Sequence, residues 1–328
     1  MLRGPFITTV LTRFFEENAT AIRPTTRRTW TSILRRLQRR YPGQRVNEIT
    51  ADDLRDFILK DDNGRPRQVA PGTQAGWRTV FRSFFGWCVF AGIIDNDPSS
   101  TLARTIKLKP QPIRPHIWMT EDEVGSLFDA CRADANELRG KRDALVLGFG
   151  VYAGLRLHEI VKVMWRDLNL RAQTLSVLGK GGKLATVPLP PQFVEMLFEW
   201  QGLYAEGLGR PVEPTSPLLI AFVNGGGPEF GHTRRTLMPA WGRKIGSSAA
   251  YKIVRARGTE IGIPRLAPHD LRRSYAGILE DRGVALRDIK TVMRHSSIAT
   301  TERYLADNPK KVQDSVSSAL AGLGTRSA

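Results

Sequence analysis

Residues 268–274, Pro268-His269-Asp270-Leu271-Arg272-Arg273-Ser274, place a histidine and an arginine three positions apart, hence on one face of a helix. Three other short stretches stand out beside it. Ala153-Gly154-Leu155-Arg156-Leu157-His158-Glu159-Ile160 puts an arginine just after a glycine turn, at the start of a helix. Gly179-Lys180-Gly181-Gly182-Lys183 puts a lysine on the tip of a hairpin between the β-rich runs Thr174–Leu178 and Leu184–Leu189. Met293-Arg294-His295 opens a run ending in Thr301-Glu302-Arg303-Tyr304, with the tyrosine nine residues after the histidine. Singly, each has a bland reading. A lone histidine is more often a structural hydrogen-bonder, a tyrosine on a terminal helix is usually packing, and a glycine-lysine turn is usually only a hairpin.

Outward from these stretches the chain reads as mainly α with a small β-hairpin or sheet. Ile7–Asn18 carries Ile7, Val10, Leu11, Phe14 and Phe15 near helical spacing. A second helix starts at Thr25 or Thr26 and runs to about Tyr41, where Pro42-Gly43 stops it. Its apolar face holds Trp30, Ile33, Leu34 and Leu37, and Arg28, Arg35, Arg36, Arg39 and Arg40 load the others. Thr50-Ala51-Asp52-Asp53 reads as a cap for a helix through Leu54, Phe57 and Ile58. Pro71-Gly72-Thr73 precedes another, from Trp77 to about Ala91. The aromatics read as core packing. The arginine faces are solvated or contact phosphate; with no acidic partner on that helix, phosphate is preferred.

Asp95-Asn96-Asp97-Pro98 ends this helical part. Lys107–Pro115 then holds three prolines and three basic residues, Lys107 and Lys109 among them, and no acid, as expected of an extended linker lying along a polyanion. Beyond it, Thr120 caps a helix through Val124–Cys131, and a buried helix runs from Asp143 to Tyr152 and ends at Gly154. Further helices are expected around Phe193–Tyr204 and near 240–260, 269–281 and 285–294. Residues 224–235 are the most loop-like stretch.

Composition bounds the function. With 328 residues, 41% hydrophobic and 25% charged, the chain is neither collagen-like nor disordered and holds about two domains. The longest charge-free stretches considered, Ser83–Ile94 and Ala144–Leu155, are too short for a bilayer that needs about 20 residues, and the first residues lack a signal-like apolar run. Two cysteines, Cys88 and Cys131, give no disulfide framework and no zinc spacing, which favours a reducing, intracellular compartment. Forty-nine Lys and Arg against 32 Asp and Glu leave +17. Residues 1–110 alone hold 19 basic and 10 acidic residues. Such an excess favours nucleic acid, ahead of a membrane surface or ribosomal RNA, with an affinity that falls steeply as salt rises.

Together the four stretches suit one kind of chemistry, the stabilisation of a phosphodiester's five-coordinate transition state while a phenolic oxygen attacks. Guanidinium donates two parallel bonds to non-bridging oxygens and stays charged. Lysine can protonate a leaving 5′ oxygen, and histidine can exchange a proton with the tyrosine. A phosphotyrosine link conserves the bond energy, so rejoining needs no ATP. No carboxylate cluster suggests a magnesium pair, and no metal or cofactor is expected.

In order and local text, "GLRLHEI", "GKGGK", "HDLRRS" and "HSSIATTERY" resemble the tyrosine recombinases, or phage-integrase family. The resemblance implies that Arg156 and Arg272 grip the scissile phosphate and that Lys180 protonates the leaving hydroxyl, with Lys183 the neighbour most easily mistaken for it. It implies that His269 is an acid/base, His295 a phosphate hydrogen-bonder, Tyr304 the nucleophile and Glu159 a supporting acid. Two positions depart: Arg294 stands where family members usually have glycine, and could add a phosphate contact or crowd the turn; Arg273 stands where histidine is common.

The resemblance further implies a helical core-type DNA-binding domain over 1–105, a basic linker over 106–116, a catalytic domain over 117–310 and a tail helix over 311–328. The tail docks on a neighbouring protomer or on its own chain. The domains would close as a C-shaped clamp on double-stranded DNA at attachment or core sites, with a homotetramer exchanging strands through a Holliday junction. An accessory directionality factor is left open; no membrane is involved, and the location would be cytoplasmic and nucleoid-associated. The chain starts almost at the core-binding domain, so a simple integrase of a phage or mobile element is expected. Xer-type dimer resolution and a non-catalytic DNA-binding relative are the alternatives.

Overall fold

The computed structural model describes residues 4–107, 116–178, 184–225 and 236–294. Lys109, Lys180, Lys183, His295, Tyr304 and the tail 311–328 lie outside the described residues. The chain divides into two compact units, Met1–Arg114 and Pro115–Ala328, both built mainly from helices.

The first unit holds α1 (Ile7–Glu17), α2 (Pro24–Arg40), α3 (Ala51–Leu59), α4 (Pro71–Phe90) and a short α5 (Leu102–Thr105), a helical turn beyond the point where the sequence suggested the helices end. Proline opens α2 and α4, where a missing N–H costs nothing. Thr50 caps α3: its hydroxyl accepts the Asp53 N–H at 3.1 Å, and the Asp53 carboxylate accepts the Thr50 N–H at 2.9 Å. The apolar stripes meet in an aromatic core of edge-to-face contacts. Phe14 lies 5.4 Å from Phe84, and Phe57 lies 5.5 Å from Trp77 and 5.4 Å from Phe81.

The arginines of α2 do not share one environment. Arg28, Arg35 and Arg39 line an open cleft of about 700 Å³ with Arg27, Thr8 and Gln38. Arg36 instead lies 5.9 Å over the Phe57 ring and 5.8 Å over the Trp77 ring, where Arg67 stacks as well.

In the second unit α7 (Glu137–Val151) is buried from Arg142 to its end, and α6 (Glu121–Arg132), α9 (Pro191–Leu208), α10 (Ser247–Glu260) and α11 (Pro268–Asp281) all pack on it. A short α8 (Leu157–Ile160) follows it, and α12 (Leu286–Met293) packs on α11. Strands β1 (Leu168–Asn169), β2 (Thr174–Leu178) and β3 (Leu184–Pro188) form an antiparallel sheet, with Thr174 opposite Pro188 and Leu178 opposite Leu184. A second sheet pairs β4 (Ile220–Gly225) with β5 (Thr236–Lys244). This corrects the sequence reading at two places: residues 240–244 are strand rather than helix, and residues 224–225 finish a strand rather than open a loop. Trp241 of β5 packs against α9 at Gly207, where a Cβ would lie 2.0 Å from the indole.

Beneath α7 runs a buried ionic network. The Asp143 carboxylate accepts from Arg142 Nε at 2.7 Å and from Arg257 Nη2 at 2.7 Å. Arg257 also pairs with Asp134, and Arg142 donates to the Ile220 carbonyl at 3.1 Å, tying α7 to α10 and β4. Burial works against the Arg257 charge, but hydrogen bonds to Asp134 and Asp143 outweigh it and raise its pKa. Replacing one member leaves buried charges uncompensated. Asp143→Ala is therefore expected to cost about 3–5 kcal/mol in urea unfolding, and a loss within 1 kcal/mol would show the network to be dispensable.

Candidate active site

The site is built where the C-terminal end of α7 meets α11. The chain leaves α7 through Gly154, whose φ of +56° lies in the left-handed region. Space demands glycine there too: a Cβ would lie 2.5 Å from Cδ1 of Tyr275 and 3.3 Å from Sδ of Met293. Two residues later Arg156 sits at the N-cap of α8 with its side chain about a third exposed.

Glu159, almost fully buried, holds Arg156 in place. Its Oε2 accepts the Arg156 backbone N–H at 2.8 Å, and its Oε1 accepts from Arg156 Nη1 at 3.1 Å. Burial alone would raise the Glu159 pKa, but the Arg156 N–H and the charges of Arg294 and Arg156 bring it below the ordinary value.

Arg272 and His269 come from the first turns of α11. Packing Leu271 against Gly150 of α7 brings the next residue, Arg272, beneath the Gly154 turn. Arg272 is fully buried, and its two terminal nitrogens donate to the carbonyls of Gly154 and Met293. His269, one turn earlier, is exposed at the surface. Desolvation by the surrounding protein and the positive charges of Arg273, Arg272, Arg156 and His116 nonetheless push its pKa down to about 4. Arg273 pairs with Asp270 at 3.1 Å, and Ser274 anchors the start of α6 by accepting the Met119 N–H at 2.8 Å.

Of the sequence-derived site residues, the structure thus gathers Arg156, Glu159, His269 and Arg272 around one turn. Lys180, His295 and Tyr304 lie outside the described residues. Two residues near this turn had no part in the site inferred from the motifs. His116 contributes to the field at His269, and Arg294 turns inward to meet Glu159 at 2.9 Å rather than pointing to solvent. Only the departure from glycine marked Arg294 in advance. No group of three or more metal-ligating side chains occurs among the described residues, and no helix among them is long and apolar enough to cross a membrane.

The lowered pKa of His269 has a definite consequence. Between about 4 and the ordinary 6.5 the unfolded chain binds a proton at this position that the folded chain does not, so His269 adds stability as pH rises through that window. An NMR titration of the DNA-free protein is expected to place the His269 midpoint near 4. A midpoint near 6.5 would show that neither desolvation nor the surrounding arginines act on the ring.

Comparison with known proteins converges on one family. The model of the phage integrase family matches residues 117–311. Tyrosine recombinase XerC of Vibrio parahaemolyticus is 31% identical over 281 residues, covering 81% of this chain and 81% of its own. Tyrosine recombinase XerC of Vibrio vulnificus is 29% identical, covering 81% of this chain and 79% of its own. The structure of a lambda integrase dimer bound to a COC′ core site superposes with a TM-score of 0.64 at 16% identity, over 94% of this chain and 79% of that one. The chain belongs to the phage integrase family, and is a tyrosine recombinase, an enzyme of site-specific DNA recombination.

Proposed function

We propose that this recombinase cleaves one DNA strand through attack of Tyr304 on the scissile phosphate, giving a 3′-phosphotyrosine and a free 5′-hydroxyl, and rejoins strands by the reverse step. The observation that carries this reading is the convergence of Arg156 and Arg272 on the Gly154 turn with His269 beside them. In this scheme the two guanidiniums supply positive charge where the phosphorane develops negative charge, with no metal required. His269 is mostly neutral at neutral pH, as a proton acceptor for the tyrosine must be. In this scheme Lys180 protonates the leaving oxygen, His295 hydrogen-bonds the phosphate, and Glu159 keeps Arg156 in position. Because Arg272 is fully buried in the DNA-free chain, its contact with phosphate requires that DNA binding expose it.

The first unit would bind double-stranded DNA through the cleft of Arg28, Arg35 and Arg39, and Lys107 and Lys109 of the linker would follow the backbone. Arg36, stacked on Phe57 and Trp77, has a packing role in this scheme. The two units would clamp core or attachment sites, four protomers would exchange strands through a Holliday junction, and the setting would be the cytoplasm and nucleoid. We favour integration and excision of a phage or mobile element. The XerC relatives support a second reading, chromosome or plasmid dimer resolution.

The test uses a nicked duplex carrying the site that wild-type protein selects from random DNA. Arg156→Ala is expected to slow strand cleavage by about 10²–10³-fold with DNA affinity and Tm nearly unchanged. Arg272→Ala should slow cleavage similarly and also lower Tm, because two buried carbonyls lose their donor. If Arg156→Ala loses binding in proportion to cleavage, the arginine binds DNA without stabilising the transition state.

A further inference from the structure

Arg294 closes α12 in a left-handed conformation, φ 55° and ψ 42°, that glycine adopts without strain and an arginine does not. A residue needed only to make the turn would be better as glycine. The side chain shows what the strain accompanies. It folds inward, 6% exposed, and its Nη2 lies 2.9 Å from Oε2 of Glu159, whose own side chain is 6% exposed. Nη2 also reaches toward the Gly154 carbonyl at 3.4 Å, the acceptor that Arg272 uses, and Nη1 donates to the Val292 carbonyl at 3.0 Å.

The consequence follows from counting acceptors and charges. Glu159 Oε2 is occupied by the Arg156 backbone N–H and by Arg294, so only Oε1 receives the Arg156 guanidinium, in a single bond of 3.1 Å. With Arg294 absent, the carboxylate could take Arg156 in the two-bond fork that arginine and carboxylate favour. Arg156 would then be neutralised by its own support. With Arg294 present, Arg156 and Arg294 share the one carboxylate while Arg272 meets Arg294 at the Gly154 carbonyl, so these three guanidiniums and Glu159 keep a surplus of two positive charges for a phosphate.

We propose that Arg294 is a positioning residue which occupies one side of the Glu159 carboxylate and thereby leaves the Arg156 guanidinium its free donors and its charge for the scissile phosphate. This rests on the recombinase reading of the site. Arg294 touches neither phosphate nor nucleophile in this role. It acts on Arg156 through Glu159.

Single-turnover cleavage of the selected nicked duplex tests this in Arg294→Gly, Arg294→Lys and the double variant Arg294→Gly/Glu159→Gln. Arg294→Gly relieves the left-handed strain, so a turn-forming role predicts wild-type cleavage or better. The proposal expects a fall of roughly 10- to 100-fold in the cleavage rate with DNA affinity retained, smaller than the loss of a donor that meets the transition state directly. Arg294→Lys, which keeps a charge at the carboxylate, should recover most of the rate. Adding Glu159→Gln to Arg294→Gly should raise the rate above that of Arg294→Gly alone, since the unbalanced carboxylate is gone. Cleavage by Arg294→Gly at the wild-type rate would overturn the proposal, as would a defect that neither lysine nor the second substitution relieves. A wild-type protein that binds the duplex without cleaving it would instead bring down the recombinase reading, and this inference with it.

Discussion

Helix α11 reaches the end of α7 only because Gly150 carries no side chain: a Cβ there would lie 2.8 Å from Cβ of Leu271. That approach sets everything around the site. It places Arg272, the next residue, under the Gly154 turn, and it places His269 one turn away, close enough to sense the charges of both Arg272 and Arg156. A buried guanidinium is costly unless its donors find acceptors, and here backbone carbonyls from two different elements accept from its two terminal nitrogens. Arg272 is therefore also a strut, joining the end of α7 to the end of α12.

The same cluster carries an electrostatic tension. Desolvation first, and then the crowded cations Arg273, Arg272 and Arg156, disfavour a charged histidine, which is why His269 stays neutral well below its ordinary range. Glu159 offsets part of the repulsion, and the helix-capping bond to the Arg156 N–H anchors it. A phosphodiester arriving here would offset part of that positive field and make protonation of His269 easier. The ionic network of Arg142, Asp143, Arg257 and Asp134 has the opposite character: its charges are paired within the protein, and it serves the fold.

Most of the helices were legible from sequence because their signals are local. Thr50 and Thr120 cap the helices they were expected to cap, and the apolar stripe of the first helix is the buried one. Strand β5 was not legible. Its text, Thr236-Leu237-Met238-Pro239-Ala240-Trp241-Gly242-Arg243-Lys244, lacks clean alternation, and it pairs with β4 with a shift of register near Ile220 and Ala221. Proline is admitted because each strand of a two-stranded sheet is an edge. Within the site, the motifs identified Arg156, Glu159, His269 and Arg272, but not how buried each would be. Charge normally implies solvent, so neither the complete burial of Arg272 nor the inward turn of Arg294 follows from residue type. Arg28, Arg35, Arg36 and Arg39 looked equivalent on one helix, and aromatic neighbours from distant sequence separate Arg36 from the rest.

In the proposed reaction this arrangement of arginines serves Tyr304, which becomes covalently joined to DNA. The most direct measurement is peptide mapping of the protein recovered from an SDS-resistant adduct with the selected nicked duplex. The expected result is a nucleotide mass on the peptide containing Tyr304, and no adduct from Tyr304→Phe although that variant still binds the duplex. A nucleotide on any other residue, or an adduct that survives in Tyr304→Phe, would contradict it.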